Sequence, residues 1–170
     1  MKNYPLLILL FISLFYSCKL KEELGPLYPP IGNSGANAVA FSENGKLFYG
    51  GPYTSGGINY AESSAWLDQF GLHLNCQGYY VGTDQSALVY IQIPGFLDKG
   101  VFVLGDTTQN NADYKNKTLE YWTDTLHTGQ LNVSTYDPVH RIVSGTFYFN
   151  GKSFPGDELK ITEGQFDLKY

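Results

Sequence analysis

Three histidines, two cysteines and one short run of oxygen-bearing side chains are the residues of this 170-residue chain with chemistry to offer. His73, His127 and His140 are far apart, and none shares with a cysteine or an acidic residue the close spacing of a zinc site. His73 falls on the polar side of a two-residue alternation and the other two flank turn residues, so all three read as surface histidines. Cys76 sits on an apolar alternation, where a lone thiol is a small buried hydrophobe rather than a nucleophile. Asp106, Thr107, Thr108, Gln109, Asn110, Asn111 and Asp113 bring oxygens close together, as calcium requires. They lack the glycine and the closing glutamate of an EF-hand loop, and they read as an Asx-rich turn. No Gly-x-Ser-x-Gly elbow, phosphate loop or dinucleotide fingerprint occurs. No catalytic residue, metal or cofactor is therefore expected, although paired carboxylates of a glycosidase can be assembled by a fold without any local signature. What remains is aromatic: Tyr90, Trp122 and Tyr148 fall opposite the apolar positions of their segments and could face a ligand, since exposed rings mark interaction surfaces.

The other cysteine, Cys18, carries a different chemistry. It follows an apolar run over residues 6–16, preceded by Lys2 and closed by the small Ser17. That is the layout of an export signal, and the charges at Lys19, Lys21, Glu22 and Glu23 cut it short of the ~20 apolar residues of a spanning helix. Leu14-Phe15-Tyr16-Ser17-Cys18 resembles a bacterial lipobox. The resemblance implies that Cys18 becomes the acylated first residue, with two or more acyl chains giving stable anchoring. Lys19-Leu20-Lys21-Glu22-Glu23 is similar to the signal that sends some Bacteroidota lipoproteins to the outer face of the outer membrane. The expected location is the outer membrane, lipid-anchored, with display at the cell surface as the further reading.

Residues 1–17 are thus read as a lipoprotein signal peptide, 18–35 as a proline- and glycine-rich tether, and 36–170 as one domain. The chain has 11 basic and 16 acidic side chains. Lys2 leaves with the signal, so the mature chain keeps 10 basic residues and a net charge of about −6. This acidic balance, with no basic cluster, excludes nucleic acid as a partner. With Cys18 acylated, Cys76 has nothing to pair with and no internal disulfide forms.

The domain must position these residues on strands. Leu72, Leu74 and Cys76, with Phe70 before them, alternate against His73, Asn75 and Gln77. Ala87, Val89, Ile91 and Ile93 repeat the pattern, as do Val143, Gly145, Phe147 and Phe149. Phe166, Leu168 and Tyr170 alternate with Gln165, Asp167 and Lys169. Such alternation belongs to sheets with one buried face. The composition agrees, with 11 Phe, 14 Tyr and 2 Trp for the pleated surface and 19 Gly for turns. Turns are expected at Asn44-Gly45, Asp68-Gln69, Pro94-Gly95, Gly105-Asp106, Asp137-Pro138, Asn150-Gly151, Pro155-Gly156 and Glu163-Gly164. The fold class is all-β: roughly nine to eleven mostly antiparallel strands in a β-sandwich or partly open β-barrel.

Several of these motifs together resemble a family of small Bacteroidota lipoproteins defined as a domain of unknown function. They are Val39-Ala40-Phe41 with Asn44-Gly45-Lys46-Leu47-Phe48, Gly129-Gln130-Leu131-Asn132-Val133 with Tyr136-Asp137, the segment 143–149, and the segment 161–168. The resemblance spans residues 37–170. It implies the β fold and the lipid anchor, and brings no activity or site residues with it. The function expected is a non-enzymatic binding or interaction module held at the membrane by its lipid, with an unknown protein or glycan ligand. The alternatives are a glycan-active enzyme with fold-assembled carboxylates and a calycin-like carrier of a small apolar ligand.

Overall fold

The computed structural model describes residues 32–51, 63–80, 83, 85–107 and 109–170; the segment read as an export signal, Cys18 and the stretch read as a tether up to residue 31 lie outside the described residues. The described chain is all-β, with eleven strands. They are β1 (Ala38–Glu43), β2 (Lys46–Gly50), β3 (Ser64–Asp68), β4 (Gly71–Tyr80), β5 (Ser86–Ile93), β6 (Gly100–Leu104), β7 (Asn111–Lys115), β8 (Glu120–Trp122), β9 (Gly129–Asp137), β10 (Ile142–Ser153) and β11 (Glu158–Lys169). Every pairing among them is antiparallel. β3, β4, β5, β7 and β8 make one layer, and β6, β9, β10, β11, β1 and β2 the other. Two corners join them: β2 pairs with β4 only at Phe48–Tyr80 and Tyr49–Tyr79, and β8 with β10 only at Trp122–Lys152 and Tyr121–Ser153. Pairing therefore runs round a ring, and the molecule is a single antiparallel sheet partly closed on itself, consistent with the expected β-sandwich or partly open β-barrel.

Alternation places the core. Leu72, Leu74, Cys76, Val89, Ile91, Val143, Phe149, Phe166 and Leu168 are fully buried between the layers, together with Ala87, Ile93 and Phe147. Phe41 on β1 stacks on Phe48 at 5.4 Å and meets Tyr114 of the facing layer edge-on at 6.5 Å. Large side chains thus occupy much of the interior among the described residues.

The turns are where sequence and structure diverge. Asn44-Gly45 is a hairpin with both residues at positive φ (47° and 84°), as a type I′ turn demands. Asn150-Gly151 and Glu163-Gly164, expected as turns, lie inside the long strands β10 and β11. Glu163 has φ 55° and inserts one extra residue into β11, which slips in register against both β10 and β1 at that point. The bulge switches the buried parity from Leu159 and Ile161 to Phe166 and Leu168. Gly164 follows because a Cβ there would enter the Phe147 ring. The β3–β4 turn falls on Gln69-Phe70, one residue later than expected, and leaves Phe70 61% exposed rather than on the buried face.

Asp167, expected on the solvated side of β11, is buried. Residues 32–37, which include the end of the stretch read as tether, lie against it. Its carboxylate accepts from Gly35 N at 2.8 Å, Ser144 Oγ at 2.8 Å, Ser34 Oγ at 3.0 Å, and Ser34 N and Ala36 N at 3.3 Å. Burial pushes its pKa up, but the hydrogen bonds from Ser144, Gly35, Ala36 and Ser34 outweigh burial and hold it below the ordinary value. A carboxyl with a lowered folded-state pKa stabilises fully above its unfolded value of ~3.9, and that contribution is lost as pH falls through the folded value. Asp167→Asn, which sets an amide N–H against these donors, is expected to cost about 3 kcal/mol in urea unfolding at pH 7. The difference from wild type should shrink below about pH 4. A cost under about 0.5 kcal/mol would show that the bonds contribute nothing.

Candidate functional site

The outer face of the β3–β4–β5–β7–β8 layer carries the residues with chemistry. The turn at Gln69-Phe70 sets the register of β3 on β4, so Trp66 pairs with His73 and Asp68 with Gly71. Trp66 and His73 stack at 4.8 Å with 4° between their planes. Tyr90 on β5 joins them, its ring 6.0 Å from Trp66 and 6.1 Å from His73. His73 is consequently 6% exposed, not the surface histidine that its parity suggested. Parity did place it on the outer side; Trp66 and Tyr90 cover it there.

A hydrogen-bond chain runs through the cluster. His73 Nε2 lies 3.1 Å from Asp68 Oδ1 and Nδ1 lies 2.6 Å from the Tyr90 hydroxyl. Asp68 Oδ1 also accepts from Phe70 N at 2.7 Å. That backbone bond, with the bond from His73, holds the Asp68 carboxyl below its ordinary pKa against the opposing effect of burial. The Asp68 carboxylate can only accept, so neutral His73 carries its proton on Nε2 and Tyr90 donates to Nδ1. The phenol oxygen keeps its lone pairs for a ligand. Burial, and then the Asp113 and Asp68 carboxylates, push the Tyr90 pKa up, so the group works as a hydrogen-bonding phenol and not as a phenolate nucleophile.

Asp113 stands opposite Tyr90 on β7 and opposite Trp122 on β8. Burial, and then Glu120, push its pKa up. Leu88, Tyr90, Asp113, Lys115 and Glu120 line a groove of about 260 Å³ here. Asn75, opposite Tyr90 on β4, and Asn111, opposite Gln92 on β5, each hold a buried side-chain oxygen with no partner. From Trp66 to Trp122 the face crosses five strands, about 19 Å at ~4.8 Å per strand. Trp66 is 39% and Trp122 38% exposed, so each end of the face offers an aromatic ring. Rings for stacking and acceptors for hydroxyl groups are the means by which a polar, ring-built ligand is held.

Of the three aromatics singled out in the sequence, Tyr90 and Trp122 share this face, one on each side of Asp113. Tyr148 lies apart on β10, 51% exposed, above a separate shallow groove with Gln130, Asn132 and Glu163. Trp66, Asp68 and His73 were missed, because a turn placed one residue early never sets Trp66 against His73. His127 and His140 pair locally, with Asp124 Oδ1 at 2.8 Å and Asp137 Oδ2 at 2.7 Å, each three residues before the histidine. Asp106 and Asn110 sit in the β6–β7 loop, where Asn110 Nδ2 donates to Val103 O at 3.0 Å. Among the described residues no three His, Cys, Asp or Glu side chains converge as metal ligands. Cys76 faces the core, and burial drives its thiol pKa far up, so it is inert.

The chain of bonds fixes the imidazole tautomer. ¹⁵N NMR is expected to show His73 protonated at Nε2 and bare at Nδ1 near neutral pH. In Tyr90→Phe, where Nδ1 loses its donor, the two tautomers should mix. An Nδ1-protonated ring in the wild type would break the assignment.

Residues 77–167 match the family described as Domain of unknown function (DUF6252). The match includes Tyr90, Asp113, Trp122 and Asp167 and begins after Trp66, Asp68 and His73. No curated protein and no solved structure matches the chain. With just over half of its length matched, from within β4 to within β11, the chain belongs to this family of domains of unknown function.

Proposed function

We propose that the chain is a lipid-anchored binding module of the outer membrane, displayed on the cell surface, whose β3–β4–β5–β7–β8 outer face takes up a glycan. The observation that carries the reading is the packed trio Trp66–His73–Tyr90, held by Asp68, with Asp113 and Trp122 continuing the face. A stacking platform held rigid by a hydrogen-bond chain loses little entropy on binding. The length of the face fits an oligosaccharide rather than a single sugar ring. Anchoring rests on Cys18, whose acyl chains would hold the domain at the bilayer while the segment up to residue 31 gives it reach.

A second reading keeps the same face and makes it glycan-active. Asp113, whose pKa burial and then Glu120 push up, is the group on this face shifted in the direction a general acid requires, with Glu120 as a second carboxylate.

A polysaccharide array incubated with detergent-solubilised protein should retain the wild type on at least one glycan. Trp66→Ala should weaken that binding at least tenfold with the melting temperature little changed, because the ring is partly exposed. Retention unaffected by Trp66→Ala, or no glycan retained at all, would refute the binding face. Release of reducing ends that stops in Asp113→Asn would favour the glycan-active reading instead.

Metabolic labelling with an alkyne fatty acid tests the anchor separately. Label is expected on the wild type and absent from Cys18→Ala; an unlabelled wild type would remove the anchor.

A further inference from the structure

At one end of the sheet the interior opens into a pocket of about 300 Å³, at the low end of the size range of small-molecule sites; it shares β5 and β7 with the outer aromatic face, but none of its lining residues belongs to the Trp66 cluster. Its wall is built by the end of β1, the start of β5 and the β7–β8 turn. Glu43 follows Val39 and Phe41 on the inward side of β1, so its carboxylate is set where the core meets solvent. Tyr114 on β7 is fully buried, its ring against Phe41 and, at 6.0 Å, Tyr121. Its hydroxyl borders this pocket and has no hydrogen-bond partner. A buried hydroxyl without a partner is uncommon and asks for an explanation.

The neighbours do not supply one. Asn116 Oδ1 is already taken, accepting from Thr118 N at 2.9 Å, Thr118 Oγ1 at 2.9 Å and Leu119 N at 3.0 Å. Burial, and then the Glu43 carboxylate, push the phenol pKa up while the Asn116 side chain opposes them, so both groups stand close to the hydroxyl, yet neither makes a hydrogen bond of good geometry with it. Glu43 itself makes no ion pair among the described residues. Lys46 faces it across the β1–β2 hairpin and Lys117 stands at the rim, and both ammonium groups lie beyond 4 Å. The pocket thus has a carboxylate and a phenol oxygen within, the Phe48 ring as an apolar wall, and positive charge at the mouth.

We propose that this pocket binds a small zwitterion, its ammonium group directed inward to the Glu43 carboxylate and the Tyr114 oxygen, its anionic group outward toward Lys117. An ammonium group brings three donors, enough for both oxygens at once. The charge order of the pocket, negative inside and positive at the rim, matches a ligand with its charges at opposite ends. A neutral alcohol would leave Glu43 uncompensated, and a simple anion would meet it head-on.

Protein-observed NMR titration of the full chain in non-ionic detergent tests this with 4-aminobutyrate, n-butylamine and butyrate, three probes of similar length and different charge. Saturable shifts at Tyr114 and Phe48 are expected with 4-aminobutyrate, with affinity at least tenfold above that for butyrate. Glu43→Gln should abolish the difference, and Lys117→Ala should reduce 4-aminobutyrate to the level of n-butylamine. Tyr114→Phe should weaken binding several-fold without lowering the melting temperature, because it discards an unpartnered hydroxyl. The proposal is overturned by any of three results: no saturation up to about 10 mM, butyrate or n-butylamine binding as tightly as 4-aminobutyrate, or an unchanged preference in Glu43→Gln. None of these results bears on the outer aromatic face.

Discussion

The buried carboxylate of Asp167 ties the start of the domain to its end. Placing a charge where only a few per cent of the residue reaches solvent is costly unless hydrogen bonds replace the lost water. Here three backbone N–H groups of residues 34–36 and the hydroxyls of Ser34 and Ser144 do so. The bonds reach across 131 to 133 residues of sequence. Asn37, with φ 54°, extends the clamp by accepting from Lys169 N at 2.9 Å. With the segment before β1 fixed in this way, β1 enters between β11 and β2 in a single register, and that register sets Phe41 against Phe48 and Tyr114. The same strand carries Glu43 to the open end of the interior. Both the packing and the pocket at that end follow from where β1 begins.

Much of the fold was legible from two-residue alternation, since β5 repeats it throughout and β4 and β10 follow it after their first four residues. Two kinds of feature were not. Gly164 looks like a turn residue in sequence, yet it is a place where Phe147 lies against the backbone of β11. A glycine required for close approach and a glycine required for a turn are the same letter. Asp167 reads as a solvated residue because alternation reports which side of a strand a residue occupies, and not what the rest of the chain lays over that side. Asp167 and His73 are both outward by parity and both buried, for this one reason.

The candidate site shows the same limit. Tyr90 and Trp122 were visible as outward aromatics, but their common row through Asp113 depends on β5, β7 and β8 being neighbours, which no local pattern encodes. The pairing of Trp66 with His73 turns on a single residue in a hairpin. With Asp68 and Gln69 at the turn, Trp66 would face Gly71; with Gln69 and Phe70 there, it faces His73 and the stack forms. A two-residue change of partner separates a bare tryptophan from a platform. Tyr148 was legible as exposed and is exposed, but its strand carries it to the other layer, away from the cluster.

The position of β1 also bears on how such a chain acquires its shape. It is the first of the described strands, and one of its two neighbours, β11, is the last of them, so the bonds along that side wait for residues 161–167. The local hairpins β1–β2, β4–β5 and β10–β11 can form within short loops, whereas β1–β11 closes a loop of more than a hundred residues. Topologies of high contact order reach the native state slowly, because loop entropy is lost before distant contacts compensate it. A nascent chain that has not yet reached residues 161–167 would keep the edge of β1 open, with its unpaired backbone groups available to other strands. β11 is therefore the timing element of this architecture, and its loss would be felt first at β1.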